Sequence, residues 1–229
     1  HMREGIKRRM LEKFPCGYYE VYGLTEGFAT IVRPEDLPEK IVSVGRAMLG
    51  NDIRIIDEQG APLPQGEAGE ILGYSPILMK GYHNNPEQTE AAMWRDPESG
   101  RTFLRSGDIG RLDEDGFLYL LDRKKDMIVS GGYNVFPADI ERVLGAHPDV
   151  YDLCVIGIPH ERWGETPLAL IVPTPETTPD LEAMRLWAND QLGKHQRIAA
   201  IETRDELPRN PAGKVMKADL RKPYCQGQT

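Results

Sequence analysis

The features that would place this sequence in a membrane or on nucleic acid are missing. None of its apolar runs approaches the roughly 20 residues that a membrane-spanning helix needs. Lysine and arginine number 28 against 36 aspartates and glutamates, so the formal net charge is −8 at pH 7. Because nucleic-acid-binding domains need a basic surface, we expect no nucleic-acid partner and no transmembrane segment.

Cysteine is also scarce. Cys16, Cys154 and Cys225 are far apart and odd in number, and their spacing fits neither a metal site nor a disulfide framework. The simplest interpretation of each is a free thiol. A chain without disulfides suits a reducing compartment, so we expect a cytoplasmic protein.

What is present is typical of a globular protein, with 28% charged and 40% hydrophobic residues among 229. That length suffices for one large domain or two small ones. The start, "HM" before "REGIKRRMLEKFP", is typical of a cloning remnant joined to a helix whose apolar side comprises Ile6, Met10, Leu11 and Phe14. We expect a chain truncated from a larger enzyme, of which it is the C-terminal part.

The pattern of apolar and turn residues predicts an α+β fold class. Residues 1–40 are expected to be the remnant of an upstream α/β subdomain. Residues 41–121 show short strands with frequent turns, which predict a small β-barrel-like subdomain or a distorted sheet. Within them, Gly116 closes a predicted hairpin in "GRLDEDGFLYLLD", and Asn85 is the expected N-cap of a helix that starts at Pro86.

The pattern changes at "DRKKD", residues 122–126, which has no apolar member. Residues 122–229 predict strand, helix, strand, strand, helix and strand, which makes a small α+β domain. Its two buried strands are expected at "DLCVIGIP" and "LALIVPT", and its second helix at about residues 180–193 with Leu181, Met184, Trp187 and Leu192 inward. The charged run is too short for a flexible linker. We interpret residues 122–123 as a hinge on which a mobile C-terminal domain turns.

The stretch "YGLTEG", residues 22–27, predicts a turn at the end of a strand. In open α/β sheets ligands bind at such ends. Thr25 could donate to a phosphate, and Glu26 could reach Mg²⁺, which prefers oxygen ligands. An ordinary turn with exposed polar side chains explains the same pattern.

Two more stretches could serve a nucleotide. In "SGDIG", Asp108 lies between two glycines, and one aspartate can accept both hydroxyls of a ribose. The alternative is a turn that enters the hairpin. In "DRKKD…SGGYN", Arg123 could contact a ribose or phosphate, and Gly131 with Gly132 could swing. The alternatives are a solvated charge run and a flexible turn.

The stretch "PRNPAGK", residues 208–214, presents a lysine near the end of the chain. Its two prolines stiffen the backbone, and Gly213 permits conformations that other residues avoid. Lys214 is a compact positive charge that suits phosphate oxygens. The alternative is an ordinary surface lysine.

The order and spacing of these motifs are more specific than any one of them. "YGLTE", "GYHNNPEQT", "SGDIG…DGFLYLLDRKKDMIVSGGYNVFPADIE" and "PRNPAGK" resemble the adenylate-forming family. That family holds acyl- and aryl-CoA synthetases, firefly-type luciferases and the adenylation domains of peptide synthetases. The resemblance covers nearly the whole chain after residue 15. It places the family's Ser/Thr/Gly-rich phosphate loop, and most of the acyl pocket, upstream of this chain.

The resemblance implies two half-reactions and a nucleotide site. A carboxylate attacks the α-phosphorus of ATP to give acyl-AMP and pyrophosphate, and the thiol of CoA then attacks the acyl carbon and releases AMP. By the same resemblance, Tyr22 lies beside the adenine and Thr25 contacts the AMP phosphate. Glu26 is the Mg²⁺-associated carboxylate, Asp108 binds both ribose hydroxyls, and Arg123 contacts the ribose.

The resemblance also implies a moving domain that presents a different face to each half-reaction. Asp122 matches its hinge. Gly131, Gly132 and Tyr133 match the loop that faces the active site during thioester formation. Lys214 matches the lysine that reaches the substrate carboxylate and the α-phosphate during adenylation.

We therefore expect an AMP-forming acyl-CoA synthetase that uses ATP, Mg²⁺ and coenzyme A on a small carboxylic acid, with fatty acids as the expected class. The alternatives are a peptide-synthetase-type adenylation domain and, from another class, a non-catalytic nucleotide-binding module. A luciferase-like oxidoreductase fits less well because it needs features upstream. The chain alone is expected to be inactive because the phosphate loop lies upstream.

Lys214 carries one further expectation. Pro208, four residues, and then Gly213-Lys214 resemble the pattern recognised by protein lysine acetyltransferases that silence acyl-CoA synthetases. Acetylation removes the positive charge of lysine. We therefore expect Lys214 to be a control point as well as a catalytic group.

Overall fold

The computed structural model describes residues 4–211 and 213–225, which divide into two compact units, His1–Lys124 and Lys125–Thr229. The division falls just after residues 122–123, and the hinge role of those residues stays a prediction. Among the described residues, no helix is long and apolar enough to cross a membrane. The three cysteines are free, as predicted, and burial raises the pKa of the Cys154 thiol to about 12.

Within residues 4–124 the first unit contains three helices and eight strands. In chain order they are α1 (Glu4–Lys13), β1 (Glu20–Leu24), β2 (Phe28–Val32), α2 (Leu37–Lys40), β3 (Arg46–Ala47), β4 (Asp52–Ile56), β5 (Gly69–Tyr74), α3 (Pro86–Ala91), β6 (Met93–Arg95), β7 (Thr102–Leu112) and β8 (Leu118–Arg123). Strands β1, β2 and β3 form one antiparallel sheet. The other five form a second antiparallel sheet.

The second sheet is open, so the predicted barrel does not close, and the alternative prediction of a sheet agrees with the structure. Its order is β4-β5-β7-β6, and β8 pairs with the second half of β7. In the described residues no strand pairing joins β4 to β6 or β8. Strand β7, with 11 residues, takes two partners in succession on one edge, β6 beside its first part and β8 beside its second. Its core includes Phe28, Ile71, Leu104 and Leu118, each at most 2% exposed.

Two local features of this unit follow directly from short stretches of its sequence. Asn85 caps α3 by accepting from the N–H of Gln88 at 3.1 Å, and Pro86 occupies the first helical position, as predicted. Gly116 closes the β7–β8 turn by donating its N–H to the carbonyl of Asp113 at 2.9 Å. Both features depend on residues close in sequence, which is why sequence reasoning finds them.

Helix α1 differs from the prediction. Ile6 and Phe14, predicted on its buried side, are 41% and 58% exposed. The buried residue is Lys7, whose ammonium donates to the carbonyl of Ile41 at 2.9 Å and pairs with Glu20 at 2.5 Å. A buried charge is tolerated when it is paired and hydrogen-bonded, so a long-range ion pair sets this helix's inward side.

Within residues 125–211 and 213–225 the second unit contains five strands and three helices. They are β9 (Ile128–Ser130), β10 (Tyr133–Val135), α4 (Pro137–Leu144), β11 (Val150–His160), β12 (Gly164–Pro173), α5 (Leu181–Gln191), β13 (Ala200–Thr203) and α6 (Lys217–Cys225). The strand order is β10-β9-β12-β11, and β13 pairs with β12 in parallel. The fold class of the described residues is therefore mixed α and β with mainly antiparallel sheets.

The two faces of the sheet in the second unit, β9 to β13, bury different segments. Leu153 and Val155 of β11 point into one cluster with residues of α4 and α5. The alternate residues Cys154 and Ile156 point into another, which includes Leu207 and is flanked by residues of α6. Successive side chains of a strand point to opposite faces. The segment after residue 207 therefore covers the face opposite α4 and α5.

Predictions for the second unit were right for buried strands and less accurate at its end. The runs "DLCVIGIP" and "LALIVPT" are β11 and β12, and both are largely buried. Met184 of α5 is 2% exposed, as predicted, but Trp187 is 38% exposed. Ala188 and Asn189 are buried there instead. Helix α6 was not predicted, because its sequence has no strong apolar period.

Candidate active site

Three predicted nucleotide-binding residues meet in the first unit. The carboxylate of Asp108 is largely buried and accepts from the hydroxyl of Tyr22 at 2.7 Å. Its other oxygen pairs with the Nε of Arg123 at 2.8 Å. The backbone N–H of Asp108 donates to the Oγ of Ser106 at 3.0 Å, which fixes the start of the side chain. Residues far apart in sequence thus form one hydrogen-bonded cluster.

Strand register explains the Asp108–Arg123 pair. The β7–β8 turn brings the strands together, and Asp108 lies directly opposite Arg123 in the ladder, beyond a bulge between Ile109 and Gly110. Directly opposed side chains of an antiparallel pair lie close enough to interact. The short turn therefore determines which cation meets the carboxylate.

The cluster leaves acceptor capacity on Asp108. An ionised carboxylate offers about four lone-pair sites, and Tyr22 and Arg123 occupy one on each oxygen. Burial, followed by the neighbouring Asp108 charge and hydrogen bond, raises the pKa of Tyr22 well above its usual range. Tyr22 therefore stays a neutral donor, and each Asp108 oxygen keeps a site for one further hydroxyl.

Thr25 and Glu26 lie in the tight turn between β1 and β2. The turn belongs to an antiparallel hairpin, not to the end of a parallel strand. The Oγ1 of Thr25 donates to Glu26 at 3.0 Å. Gly27 has φ of +121°, and a Cβ there would lie 2.4 Å from the carbonyl oxygen of Ile77. Only glycine lets the 77–78 segment pass this close to the turn.

Tyr82 completes the Glu26 site and was not predicted. Its hydroxyl donates to the second carboxylate oxygen of Glu26 at 3.1 Å. Tyr82 lies in the "GYHNNPEQT" motif, which contributes to the family resemblance, but the sequence predicts no role for this residue. Only the tertiary contact between the 80s segment and the β1–β2 turn reveals it. The backbone N–H of Met79 also donates to the Glu26 carbonyl, at 2.7 Å.

The oxygens at Glu26 suit a hard cation. A hydrogen bond from its own backbone N–H, with those from Thr25 and Tyr82, lowers the pKa of Glu26, so it is ionised at neutral pH. In the described residues, no three or more His, Cys, Asp or Glu side chains gather as a metal site. A Mg²⁺ ion here would share Glu26 with phosphate and water oxygens, as Mg²⁺ commonly does.

A groove lies near these two groups in the same unit. It has a volume of about 630 Å³, and its lining includes Tyr82, Ser106 and Gly107. Tyr82 contacts Glu26, and Ser106 contacts Asp108, so the groove touches a neighbour of each, although its lining includes neither carboxylate. Its size suits a small ligand.

The predicted swinging loop of the second unit is a two-residue hairpin turn. Ser130 pairs with Tyr133 across it, and Gly131 and Gly132 have φ of +58° and +83°. A type I′ turn needs positive φ at both central residues, and its twist matches that of the flanking strands. Glycine adopts positive φ easily, so Gly-Gly is favoured in such a turn. The N–H of Gly131 also donates to the carbonyl of Trp163 at 2.8 Å, which anchors the turn.

A cavity of about 800 Å³ opens beside that turn. Tyr133 stacks on His195 at its wall, with ring centroids 3.6 Å apart. Basic side chains share the lining, namely Arg185, Lys194 and Arg197. Flat aromatic rings beside several cations suit a nucleotide, whose base stacks and whose phosphates are anionic.

Lys214 lies exposed in a closed loop of the second unit. Its N–H donates to the Oδ1 of Asn210, and its carbonyl accepts from the N–H of Asn210, both at 2.9 Å. Among the described residues, no side chain pairs with its ammonium. By contrast, Lys217 pairs with Glu141 at 2.8 Å and is only 18% exposed. Lys214 is thus the more accessible of the two lysines.

The predicted residues therefore fall into separate groups. Tyr22, Asp108 and Arg123 form one group in the first unit, and Thr25 and Glu26 form another beside the same groove. Gly131, Gly132 and Tyr133 line or flank the cavity of the second unit, where Lys214 occupies its own loop. Asp122 ends β8 with Arg123, and its Oδ1 accepts from the N–H of Arg123 at 2.7 Å.

Two family models match the chain. The model described as AMP-binding enzyme matches residues 1–83, and the model described as AMP-binding enzyme C-terminal domain matches residues 139–214. Among curated proteins, a 2-succinylbenzoate–CoA ligase of Geobacillus kaustophilus is 41% identical over 89% of this chain and 41% of its own. A Mycobacterium tuberculosis long-chain-fatty-acid–CoA ligase, FadD13, is 38% identical over 89% of this chain and 39% of its own.

Solved structures of similar proteins also match nearly the whole of this chain and less than half of their own. ATP-bound MatB from Rhodopseudomonas palustris is 33% identical with a TM-score of 0.86, over 96% of this chain and 43% of its own. The o-succinylbenzoate CoA synthetase MenE of Bacillus subtilis, in complex with ATP and magnesium ion, is 32% identical with a TM-score of 0.83, over 96% and 44%. The chain thus spans about two fifths of the curated relatives described above.

Proposed function

Because this chain belongs to the AMP-binding enzyme family, we propose that the protein that carries it activates a carboxylic acid with ATP and transfers the acyl group to coenzyme A. Homologues over about nine tenths of the chain are named CoA ligases or synthetases. The observation that carries the proposal is the buried Asp108 carboxylate, held by Tyr22 and Arg123 with one acceptor site left on each oxygen.

In the first half-reaction, a carboxylate oxygen of the acid bonds to the α-phosphorus of ATP, and the bond to the departing pyrophosphate breaks. Asp108 accepts the two ribose hydroxyls, Arg123 contacts the ribose, and Tyr22 lies beside the adenine. Thr25, whose hydroxyl donates to Glu26 in this structure, turns that single donor to the α-phosphate when ATP binds. Mg²⁺, associated with the ionised Glu26, neutralises phosphate charge when bound.

Lys214 supplies a positive charge to the same step. Negative charge at the attacking carboxylate and the α-phosphate is met mainly by positioned cations. The exposed ammonium of Lys214 stands on a closed loop, so it is presented without a competing partner among the described residues. This arrangement supports an electrostatic role in adenylation.

In the second half-reaction, the sulfur of coenzyme A bonds to the acyl carbon, and AMP leaves with the bonding electrons. The cavity beside Gly131, Gly132 and Tyr133 would take the nucleotide end of coenzyme A. Its Tyr133–His195 stack offers a surface to the adenine, and Lys194 and Arg197 offer charge to the phosphates. Asp122 is the hinge that we propose between the two steps.

Regulation by acetylation follows from the same site. Lys214 is exposed and follows Gly213 in a loop that begins with Pro208, a spacing that resembles the pattern recognised by protein lysine acetyltransferases. Acetylation would remove the charge that adenylation uses. Lys217 is less exposed and engaged with Glu141, which makes it the poorer target.

The substrate is the least defined part of the proposal. The sequence favours a fatty acid, and one relative is named a long-chain-fatty-acid–CoA ligase. Other relatives are named for 2-succinylbenzoate and ferulic acid derivatives, so aromatic acids belong to the same range. We propose a carboxylic acid, with fatty acids as the first candidates, in a cytoplasmic enzyme.

A panel of aliphatic and aromatic acids tests the proposal with the whole protein. Pyrophosphate release is measured with ATP and acid alone, and AMP release with and without coenzyme A. A CoA ligase gives acid-dependent pyrophosphate and CoA-dependent AMP. Adenylation without any response to coenzyme A would favour a peptide-synthetase-type domain. Binding of ATP without any acid-dependent pyrophosphate would favour a non-catalytic nucleotide-binding module.

A further inference from the structure

The loop that carries Lys214 is closed on itself by backbone bonds. The N–H of Gly213 donates to the carbonyl of Asn210 at 2.8 Å, and the N–H of Met216 donates to the carbonyl of Pro208 at 2.8 Å. Arg209 and Val215 form an isolated antiparallel bridge at its base. These bonds fix the described residues of the loop, 208–211 and 213–216, relative to one another. Alone, they do not determine how the loop is oriented on the rest of its unit.

Arg209 connects the loop to the sheet. One guanidinium nitrogen donates to the carbonyl of Gly213, the residue before the lysine, at 2.8 Å. The other donates to the carboxylate of Asp152 on β11, at 2.5 Å. A guanidinium is a rigid planar fork, so its two bonds hold their targets in a fixed relation. Asp152 is thereby linked, through one side chain, to the backbone beside Lys214.

A bulge places Asp152 where Arg209 meets it. From Asp152 to His160, β11 pairs with β12 in continuous register, but the register shifts between Val150 and Asp152. The shift leaves Tyr151 without a partner in the ladder. Bulges of this kind redirect a side chain and are found beside functional sites. The other oxygen of Asp152 accepts from the N–H of Leu153 at 3.0 Å, which holds the carboxylate.

We propose that Asp152 is a positioning residue for Lys214, acting through Arg209 and the Gly213 carbonyl. The inference rests on the proposed role of Lys214 in adenylation. A displacement of about 1 Å in a catalytic constellation can cost about 100-fold in rate, so fixing the orientation of the loop matters even though Asp152 touches no substrate. Under the proposed function, the thioester step does not use this loop.

The competing explanation is an ordinary surface ion pair. Such pairs contribute little to stability, and many contribute nothing measurable. Glu202 and Arg204 form a comparable pair in the same unit, at 2.8 Å, with partly exposed side chains. Among the residues that the structure describes, no hydrogen bond or ion pair joins that pair to the lysine loop, and one further partner of the pair is the hydroxyl of Tyr224 on α6. The variant Glu202→Gln is therefore a matched control for the loss of one carboxylate.

Amide hydrogen exchange of the 229-residue chain tests the positioning directly. In Asp152→Ala, the exchange rates of the Gly213 and Lys214 amides should rise several-fold, up to about tenfold, because Arg209 is no longer held against β11, its bond to the Gly213 carbonyl weakens, and the loop opens more often. Asp152→Asn keeps an oxygen for the Leu153 N–H while removing the charge, and should show a smaller rise. Glu202→Gln should leave both amides unchanged. Unchanged rates in Asp152→Ala and Asp152→Asn would overturn the inference.

The half-reactions of the whole protein supply the functional readout. Asp152→Ala should reduce the turnover number for acyl-AMP formation about 10- to 100-fold, with little change in the reaction of supplied acyl-AMP with coenzyme A. Asp152→Glu should recover part of the loss. Equal losses in both half-reactions would indicate a merely structural role and overturn the inference.

The two proposals fail in different ways. If Lys214→Gln retains normal adenylation, the proposed function of the lysine is wrong whatever the exchange rates show. If Lys214→Gln abolishes adenylation while Asp152→Ala changes neither the exchange rates nor the adenylation rate, only the positioning role is wrong.

Discussion

At the scale of single residues, Asp108 is the group on which nucleotide binding depends. Its carboxylate is largely buried, yet it holds Tyr22 and Arg123 and keeps acceptor sites for two more hydroxyls. We therefore expect Asp108→Ala to raise the KM for ATP in the whole protein by about tenfold or more. This change corresponds to the binding free energy of one charge-assisted hydrogen bond. Initial rates at varied ATP measure the effect.

A control for this variant lies in the same hairpin. Asp115 pairs with Lys40 at 2.7 Å and is exposed, so Asp115→Ala removes a carboxylate from the β7–β8 turn without touching the Asp108 cluster. Its KM for ATP should stay near that of the parent. An unchanged KM in Asp108→Ala would remove the ribose role.

Lys214 should separate the two half-reactions. Losing one preorganised charge contact costs about 100- to 1,000-fold in rate, so Lys214→Gln should lose acyl-AMP synthesis yet still convert supplied acyl-AMP and coenzyme A. Each half-reaction is measured separately. Lys222, exposed and paired with Asp219 at 2.6 Å, supplies the control Lys222→Gln. Near-normal acyl-AMP formation by Lys214→Gln would refute both its catalytic and its regulatory role.

Acetylation can be examined at the same residue. Mass spectrometry after treatment with a protein lysine acetyltransferase should find the acetyl group on Lys214, and adenylation should fall with its occupancy. Acetylation confined to Lys217, with adenylation unchanged, would show that the wrong lysine was chosen.

At the scale of elements, what the sequence predicts depends on how local the determinant is. The cap at Asn85, the turn at Gly116 and the buried strands β11 and β12 follow from neighbouring residues. The open sheet does not, because it depends on the longer-range pairing of β5 with β7 and on which strands remain at the edges. The role of Tyr82 likewise depends on contact with a distant turn.

The site shows the same dependence. The motifs identify Asp108, Arg123 and Lys214 as candidate site residues, and the resemblance to the adenylate-forming family assigns their roles. The structure adds the cross-strand register that joins Asp108 to Arg123 and the bulge that presents Asp152 to Arg209. Neither a register nor a bulge leaves a clear pattern in a single sequence, because both arise from the partner strand.

The turn between β6 and β7 has a predictable pH dependence. Asp96 accepts from the hydroxyl and N–H of Ser99 and from the N–H of Glu98, and it pairs with Arg54. The hydrogen bond from Ser99, with these others, lowers the pKa of Asp96 from 3.8 to about 2. A depressed folded pKa stabilises the fold above the unfolded value, and that stability is lost as pH falls toward the folded value.

Asp96→Asn should therefore lower the melting temperature at neutral pH. The difference from the parent should stay constant down to about pH 5 and shrink as pH falls through 3.8 toward about 2, where the parent carboxylate is protonated. Thermal unfolding followed by circular dichroism at several pH values measures it. A difference that does not shrink in acid would show that the charge of Asp96 is not the cause.

At the scale of the whole molecule, the chain spans about two fifths of the length of its curated relatives. By the family resemblance, the phosphate loop and most of the acyl pocket are supplied by the remainder. We expect the 229-residue chain alone to release no pyrophosphate with ATP, Mg²⁺ and any acid of the panel. Release above a blank without enzyme would contradict this, and the whole protein serves as the positive control.

The proposed hinge makes the second prediction at this scale. Asp122 pairs with Ile109 near the end of β8, and the two compact units divide shortly after it. Proline fixes φ near −65°, so Asp122→Pro would remove the backbone freedom that rotation of one unit requires. In the whole protein, acyl-AMP formation should be reduced less than the subsequent transfer to coenzyme A.

The variant Asp122→Ala separates backbone freedom from the side chain. Alanine removes the carboxylate, which accepts from the N–H of Arg123 at 2.7 Å, but leaves φ free. If rotation about this residue links the half-reactions, the alanine variant should retain both rates within a small factor, and only proline should slow thioester formation selectively. Single-turnover measurements of acyl-AMP formation and of its consumption by coenzyme A give the two rates. Equal loss of both in Asp122→Pro would mean that it disturbs β8 and the nearby Asp108–Arg123 pair, and that the pivot lies elsewhere.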